Sequence, residues 1–374
     1  MSLGIAGMGW VTPLGSELTS VWQRLLSDET ALAQSISSPL GRSYPVFSVP
    51  AEATAGAPAH PRLRRSSAIS RFAVVAGLAA LEEAKLKLDP ETAARTALIF
   101  AVSNGGVIYT KRFYQEIVES GAQAASPLLF PETVFNAPAS HLAAILGITG
   151  ASYTLVGDGA VGVLALKMAE DLMESETLDY CLVVGAEEAD WLLCDAYRTW
   201  RLLRSIPPIT PFAQPARGTI LSEGAGAILL GRDGTIRLDK IAAGKNFRRQ
   251  SEAGDCVGEI FAELGDGEVD LVVASANGTF IDAAERAAAL RHCPSAKVFA
   301  PKGLLGESVG ASSLWQTICG AQSLRTQNMP GYLAFREEGG THLATQPSEG
   351  QLRRAIVSVC GLNQQVAGLR LVRN

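Results

Sequence analysis

The stretch Tyr153-Thr-Leu-Val-Gly-Asp-Gly-Ala-Val-Gly162 has the residue types of a strand that turns sharply into a helix. Glycines at 157, 159 and 162 suit a turn that uses positive φ and lets backbones approach closely. The first N–H groups of such a helix stabilise an anion or a deprotonated nucleophile. Elbows of this kind can present a serine or cysteine to a substrate. Here the tip carries only Asp158 and Gly159. Asp158 reads as an acid that favours the helix N-terminus, with a new catalytic acid as the alternative. Cys360, beside the C-terminal loop, could be a displaced nucleophile, but a buried free cysteine is expected to be inert packing. Ser103-Asn-Gly-Gly106 has two glycines and no following Lys-Ser pair, so it does not read as a phosphate loop.

The elements that position the elbow follow from the pattern around it. Leu164, Ala165, Leu166 and Met168 continue an almost uncharged helix, expected in the middle of the domain. Leu3 to Ala6 reads as a strand ending in a Gly-Met-Gly-Trp turn, followed by a helix to Leu26 capped by Ser16 or Ser20. Residues 28–68 read as mostly irregular. Helices are expected over 70–87, 109–120 and 137–146, with an extended segment from Pro127 to Pro131. Apolar runs at Thr96–Val102 and Tyr180–Val184 read as buried strands, which indicates an α/β fold. The second half repeats this order. Strands at 269–275 and 297–300 flank a helix at 282–290, and Gly306-Glu-Ser-Val-Gly310 opens a second apolar helix. Closing strands fall at 355–359 and 366–372. Two halves, each with a central apolar helix, suggest an internal duplication that divides near residues 232–237.

Composition narrows the function classes. The chain has 374 residues, 47% of them hydrophobic, and a net charge of −5. It is long enough for a large core, and no basic surface favours nucleic acid. Its six cysteines, Cys181, Cys194, Cys256, Cys293, Cys319 and Cys360, form no Cys-x-x-Cys pair. That argues against a zinc site and for a reducing, cytoplasmic compartment. The N-terminus lacks the basic start of a signal peptide, and no apolar run approaches the ~20 residues of a membrane span.

Several stretches together resemble the β-ketoacyl synthases of the thiolase fold. They are Gly7-Met-Gly-Trp-Val-Thr-Pro-Leu-Gly15, the elbow through Gly185-Ala-Glu187, and Pro211-Phe-Ala-Gln-Pro-Ala-Arg-Gly-Thr-Ile-Leu-Ser-Glu-Gly-Ala-Gly226. The resemblance implies two similar halves, residues 1–234 and 235–374, in α-β-α-β-α layers. It also implies an elbow cysteine that takes an acyl chain from a carrier protein, and two histidines that assist decarboxylation of the extender and hold an enolate oxygen. By the family's motifs the cysteine position is Gly159, and the histidine positions are Asn277 and Glu307. The motif lysine remains as Lys302, and the family's later glutamate corresponds to Gln316. A gating Gly-Phe-Gly-Gly-Thr loop corresponds to Gly361-Leu-Asn-Gln-Gln365, with Leu362 in place of phenylalanine. The loop after Asn277 is shorter by about three residues.

This pattern is similar to that of chain-length-factor subunits of type II polyketide and aryl-polyene synthases. Those chains lack the cysteine and pair with an active ketosynthase. The resemblance implies a non-catalytic subunit in a heterodimer that shapes an acyl or polyene cavity and works with an acyl carrier protein, without metal, cofactor, nucleic acid or membrane insertion. Leu129, Phe130, Val134 and Phe135, within Ser126–Asn136, would reach across the dimer, and Leu362 would line the channel. Glu307 is expected to pair with Lys302 or a backbone donor, with a general acid as the alternative. Arg62, Arg64 and Arg65 read as a solvated loop, with carrier-protein contact as the alternative. His60, His141, His292 and His342 fall outside the motifs, and His141 reads as structural. Two other readings stay open: an acyltransferase with relocated chemistry at Glu307, Asn277 or another cysteine, and a homodimeric acyl-binding scaffold.

Overall fold

The computed structural model describes residues 3–175, 177–335, 341–344 and 348–374. Among them a twelve-stranded sheet contains two runs of five strands with the same order and sense. In the first run the order is Leu3–Val11, Gly224–Gly231, Tyr180–Glu187, Thr96–Val102 and Ser152–Val156. In the second it is Ile236–Ala242, Val366–Arg373, Arg354–Cys360, Leu271–Val273 and Lys297–Phe299. Each run opens with two antiparallel pairings and closes with two parallel ones. The runs join where Leu3 faces Leu238 and Gly4 faces Arg237.

The layers follow from what each helix buries. Helices Val161–Met173 and Ser312–Thr326 pack against strands of both runs and form the middle layer. Helices Ala68–Glu83 and Ala137–Leu146 cover the first run from outside, and Ala253–Leu264 with Ile281–His292 covers the second. This is the expected α-β-α-β-α thiolase-like arrangement. The two middle helices differ. Every residue from Ser312 to Leu324 is buried, whereas Val161–Met173 leaves Asp171 exposed and Leu164, Lys167, Met168, Glu170 and Leu172 half-buried. The second apolar helix is therefore the true centre, and the elbow helix lies at its side.

Several local expectations are corrected. Gly7 to Trp10 do not turn; they continue the first strand to Val11. A Cβ at Gly7 or Gly9 would fall on the carbonyl of Ala80 or Ala76, so these glycines serve close approach by the covering helix. The helix Leu18–Leu26 is capped by Glu17, whose carboxylate takes the N–H groups of Thr19 and Ser20. Residues 28–68 include a hairpin, Ala33–Ser37 with Ser43–Phe47. Pro127–Pro131 is not extended: a turn leads into a 3-10 helix at Phe130–Thr133. At the elbow, Gly157, Gly159 and Gly162 all lack positive φ. Gly162 instead provides proximity, because a Cβ there would fall on the Ser313 hydroxyl of the neighbouring middle helix. The positive φ occurs at the second elbow, at Gly306 (81°) and Val309 (39°).

Candidate functional site

The elbow is built from the strand Ser152–Val156, residues 157–160 and the helix from Val161. The Gly157 N–H donates to Val102 carbonyl at 3.1 Å, fixing the turn beside the next strand. The Asp158 N–H donates to Gln365 Oε1 at 2.8 Å, and Asn363 N–H donates to Asp158 Oδ2 at 2.7 Å. The C-terminal loop is thus pinned to the elbow from both sides. Gly159 is buried, and a Cβ there would lie 3.2 Å from Gly361 Cα. A Cβ at Gly361 would in turn fall on the Asp158 carboxylate. Burial pushes the Asp158 carboxyl up, against the pull of the N–H groups of Gly159, Asn363 and Gln365.

Three residues singled out from the sequence meet in the second half. Lys302 begins a short helix after the strand Lys297–Phe299, Glu307 follows that helix, and Asn277 follows the strand Leu271–Val273. Lys302 Nζ lies 2.8 Å from Glu307 Oε2, and both residues are 2% exposed. Asn277 Nδ2 donates to the same Oε2 at 2.8 Å, and Val309 N–H donates to Oε1 at 3.1 Å. The Asn277 Oδ1 accepts the Thr279 hydroxyl at 2.7 Å, so the carboxamide is held at both ends. The Asp282 carboxylate takes the N–H groups of Asn277 and Gly278 and fixes the loop.

Two residues of this network carried no sequence signal of their own. Ser275 accepts from Lys302 Nζ at 2.9 Å and donates to Cys360 carbonyl at 3.1 Å. Its N–H donates to Glu285 Oε1 at 2.8 Å. Burial pushes the Glu285 carboxyl up to about 7. The two carboxylate oxygens of Glu307 are thus engaged by an ammonium, an amide and a backbone N–H. That arrangement neutralises a buried charge and engages both oxygens.

The other candidates separate from this centre. Cys360 is buried and its thiol is pushed well above the ordinary value by burial, which suits packing and not attack. The N–H groups of Ser103 and Asn104 both donate to Glu187 Oε2, at 3.0 and 3.1 Å. The loop therefore already holds an internal carboxyl group. His141 Nε2 pairs with Glu132 Oε1 at 2.6 Å, while Glu132 Oε2 takes the Ser67 N–H at the start of a covering helix. His60 caps the turn Pro61–Arg64, and Arg62, Arg64 and Arg65 are exposed. His342 lies on a strand whose side chains fall outside the described residues.

Leu129, expected to reach a neighbouring subunit, and Leu362, expected to line the channel, fold inward and are buried. Phe130, Val134 and Phe135 stay exposed, and the Phe130 ring packs on Phe113 at 5.8 Å. Tyr114 and Val118 of helix Val107–Ser120 are exposed, and none of that helix's fourteen residues is buried. Ser152–Val156 is the terminal strand of the sheet, with Tyr153 and Val156 exposed. No helix among the described residues is long and apolar enough to cross a membrane.

Comparison with known proteins agrees with this architecture. Residues 2–235 match the family model of the beta-ketoacyl synthase N-terminal domain. Nodulation protein E of Rhizobium leguminosarum bv. trifolii is 24% identical over 362 residues, 89% of this chain and 88% of that protein. The 3-oxoacyl-[acyl-carrier-protein] synthase 2 of Coxiella burnetii is 22% identical over 385 residues, 93% of this chain and 92% of that one. Among solved structures, the ishigamide ketosynthase/chain length factor superposes with a TM-score of 0.87 at 18% identity, covering 100% of this chain and 99% of the other.

Proposed function

This chain belongs to the β-ketoacyl synthase family, and from that premise we propose that it is a non-catalytic subunit of the chain-length-factor type. It pairs with an active ketosynthase as a heterodimer and shapes the cavity for a growing acyl or polyene chain delivered by an acyl carrier protein. The observation that carries this reading is the state of the three catalytic positions. Gly159 supplies no nucleophile and its side-chain space abuts Gly361. Asn277 donates to Glu307, and Glu307 pairs with Lys302. A carboxylate placed where the reaction builds negative charge opposes that reaction. Condensation by relocated chemistry at Glu307 or Cys360 is disfavoured by the same bonds and by burial.

The exposed surface favours pairing over a purely monomeric role. Phe130, Val134, Phe135, Tyr114 and Val118 lie on one turn–helix unit, and the terminal strand Ser152–Val156 offers an unpaired edge. Tyr153 and Val156, exposed on that open edge, suit a second sheet of the same family. The ketosynthase/chain length factor likeness supports that partner class.

The test is co-expression with candidate ketosynthases, purification on a tag carried by this chain, and assay of condensation and malonyl decarboxylation. A stoichiometric complex in which only the synthase's nucleophile is needed supports the reading. Decarboxylation or condensation by this chain alone overturns it, as does a stable homodimer that captures no synthase.

A further inference from the structure

Residues 196–217 carry four arginines and no aspartate or glutamate. Arg198, Arg201 and Arg217 are exposed, and Arg204 is half-buried. None of the four forms an ion pair with another described residue. The pairing of Leu203 with Thr219 sets Arg204 near Arg217. Arg204 is fixed there by the Ile206 carbonyl and by Thr210 Oγ1, the latter at 3.2 Å. Burial and the like charge of Arg217 pull its guanidinium down from the ordinary value. Arg248 joins this face, since it lines one cavity with Trp200. The preceding acid in the sequence, Asp195, is already engaged by Arg42 and Tyr44.

Apolar side chains project from the same surface. Trp200 is 54% exposed and Ile206 is 69% exposed. Trp200 is the one exposed tryptophan among the described residues; Trp10, Trp22 and Trp315 are buried and Trp191 is half-buried. Ile206 is followed by exposed Pro207 and Pro208, whose rings stiffen the tip. Its carbonyl is bonded to Arg204, so apolar tip and charge form one unit. A ring and a branched side chain among unpaired arginines match the boundary between acyl chains and anionic headgroups. The chain as a whole carries a net charge of −5, so an anionic surface repels the rest of it and selects this face.

We propose that this face docks the chain, without spanning, on a membrane surface rich in anionic lipid, with Trp200 and Ile206 at headgroup depth and the arginines on lipid phosphates. An acidic protein would also complement the arginines. A highly charged protein surface, however, leaves Trp200 and Ile206 against polar groups, whereas a bilayer takes them into its apolar edge. The face adjoins the elbow, because Trp200 and Asp158 line one cavity. With no nucleophile at Gly159, no acyl group has to arrive there on a carrier protein, and the surface is open to a second use. That last step rests on the non-catalytic reading; the charge and exposure of the face do not.

Co-sedimentation of the full chain with vesicles is the test, one set of phosphatidylcholine alone and the other an equal mixture with phosphatidylglycerol. The chain should bind the anionic set at least about tenfold tighter, as several arginines near such a surface provide. In R201Q/R217Q, changed at two exposed positions, that preference should fall below about threefold. I206S, a surface change that keeps the fold, should weaken binding to the anionic set at least about threefold. Brominated acyl chains should quench tryptophan emission in the unaltered chain and not in W200F. Equal binding to both sets, an undiminished preference in R201Q/R217Q, full binding by I206S, or quenching that persists in W200F overturns the proposal. So does a chain that captures an acidic carrier protein on this face and ignores anionic vesicles. The non-catalytic reading is decided separately by the condensation assay. A chain that binds anionic vesicles yet condenses malonyl groups alone defeats that reading and keeps the lipid face, and one that does neither defeats only the face.

Discussion

Lys302 and Glu307 form an ion pair 2.8 Å long in which each residue is only 2% exposed. Neither charge has water to return to, so each depends on the other. K302M or E307Q alone should destabilise the fold by about 3–5 kcal/mol, and the double variant K302M/E307M should recover most of that loss. Urea unfolding of the three variants checks this. Additive losses in the double variant would mean the pair is not coupled.

Restoring the nucleophile alone should not restore chemistry. In G159C the new side chain meets Gly361, which itself abuts the Asp158 carboxyl, and Glu307 still stands at a histidine position. Malonyl decarboxylation should stay at background in G159C and in E307H. Only a variant carrying G159C, N277H and E307H together should rise above it. Decarboxylation by G159C alone would show that Glu307 does not oppose the reaction.

Burial pushes Glu187 and Glu188 up to about 8, from an ordinary value near 4.5, and Glu285 up to about 7. The folded chain then keeps protons that the unfolded chain has released. The stability from these groups is complete below pH 4.5. It falls as pH rises, by up to about 1.4 kcal/mol per unit for each group, and levels above pH 8. E188Q removes one such contribution, so the fall of unfolding free energy with pH from 5 to 7 should become shallower, by up to about 1.4 kcal/mol per unit. An unchanged slope would mean Glu188 is ionised in the folded chain.

Phe130 is 57% exposed and touches Phe113 at the rim of its unit. F130D should therefore alter the stability of the isolated chain by no more than about 0.5 kcal/mol, as is usual for surface positions. It should nevertheless reduce co-purification of a synthase at least tenfold, because a buried aromatic anchor at an interface contributes ~2 kcal/mol or more. Retained capture would place the interface elsewhere.

The parts of the fold that were legible in the sequence are those written locally. Apolar runs bounded by glycine gave both middle helices and the strands that lead to them. The motif spacing pointed to Gly159, Asn277, Lys302 and Glu307, and the last three do come together. Glycine was harder to read. Gly7 and Gly9 look like a turn, yet they lie in a strand, since the reason for them is a helix about seventy residues away. The same holds for Gln365, which pins Asp158 from 207 positions along the chain. Ser275 is another case, because a lone serine beside a strand carries no mark of the lysine it will meet. Burial of Leu129 likewise depends on how a 3-10 turn folds back, which no periodicity records.

The contact of Asp158 with Gly361 constrains which substitutions the chain can accumulate, and in what order. Position 361 has no room for a side chain while an aspartate stands at 158. Position 307 cannot lose its carboxylate while an ammonium stands at 302. Changes at these sites are therefore tolerated in pairs and resisted singly. A single change at 361 or 307 therefore meets a less stable intermediate, unless its partner at 158 or 302 changes with it. The arrangement is thus held in its present form by folding.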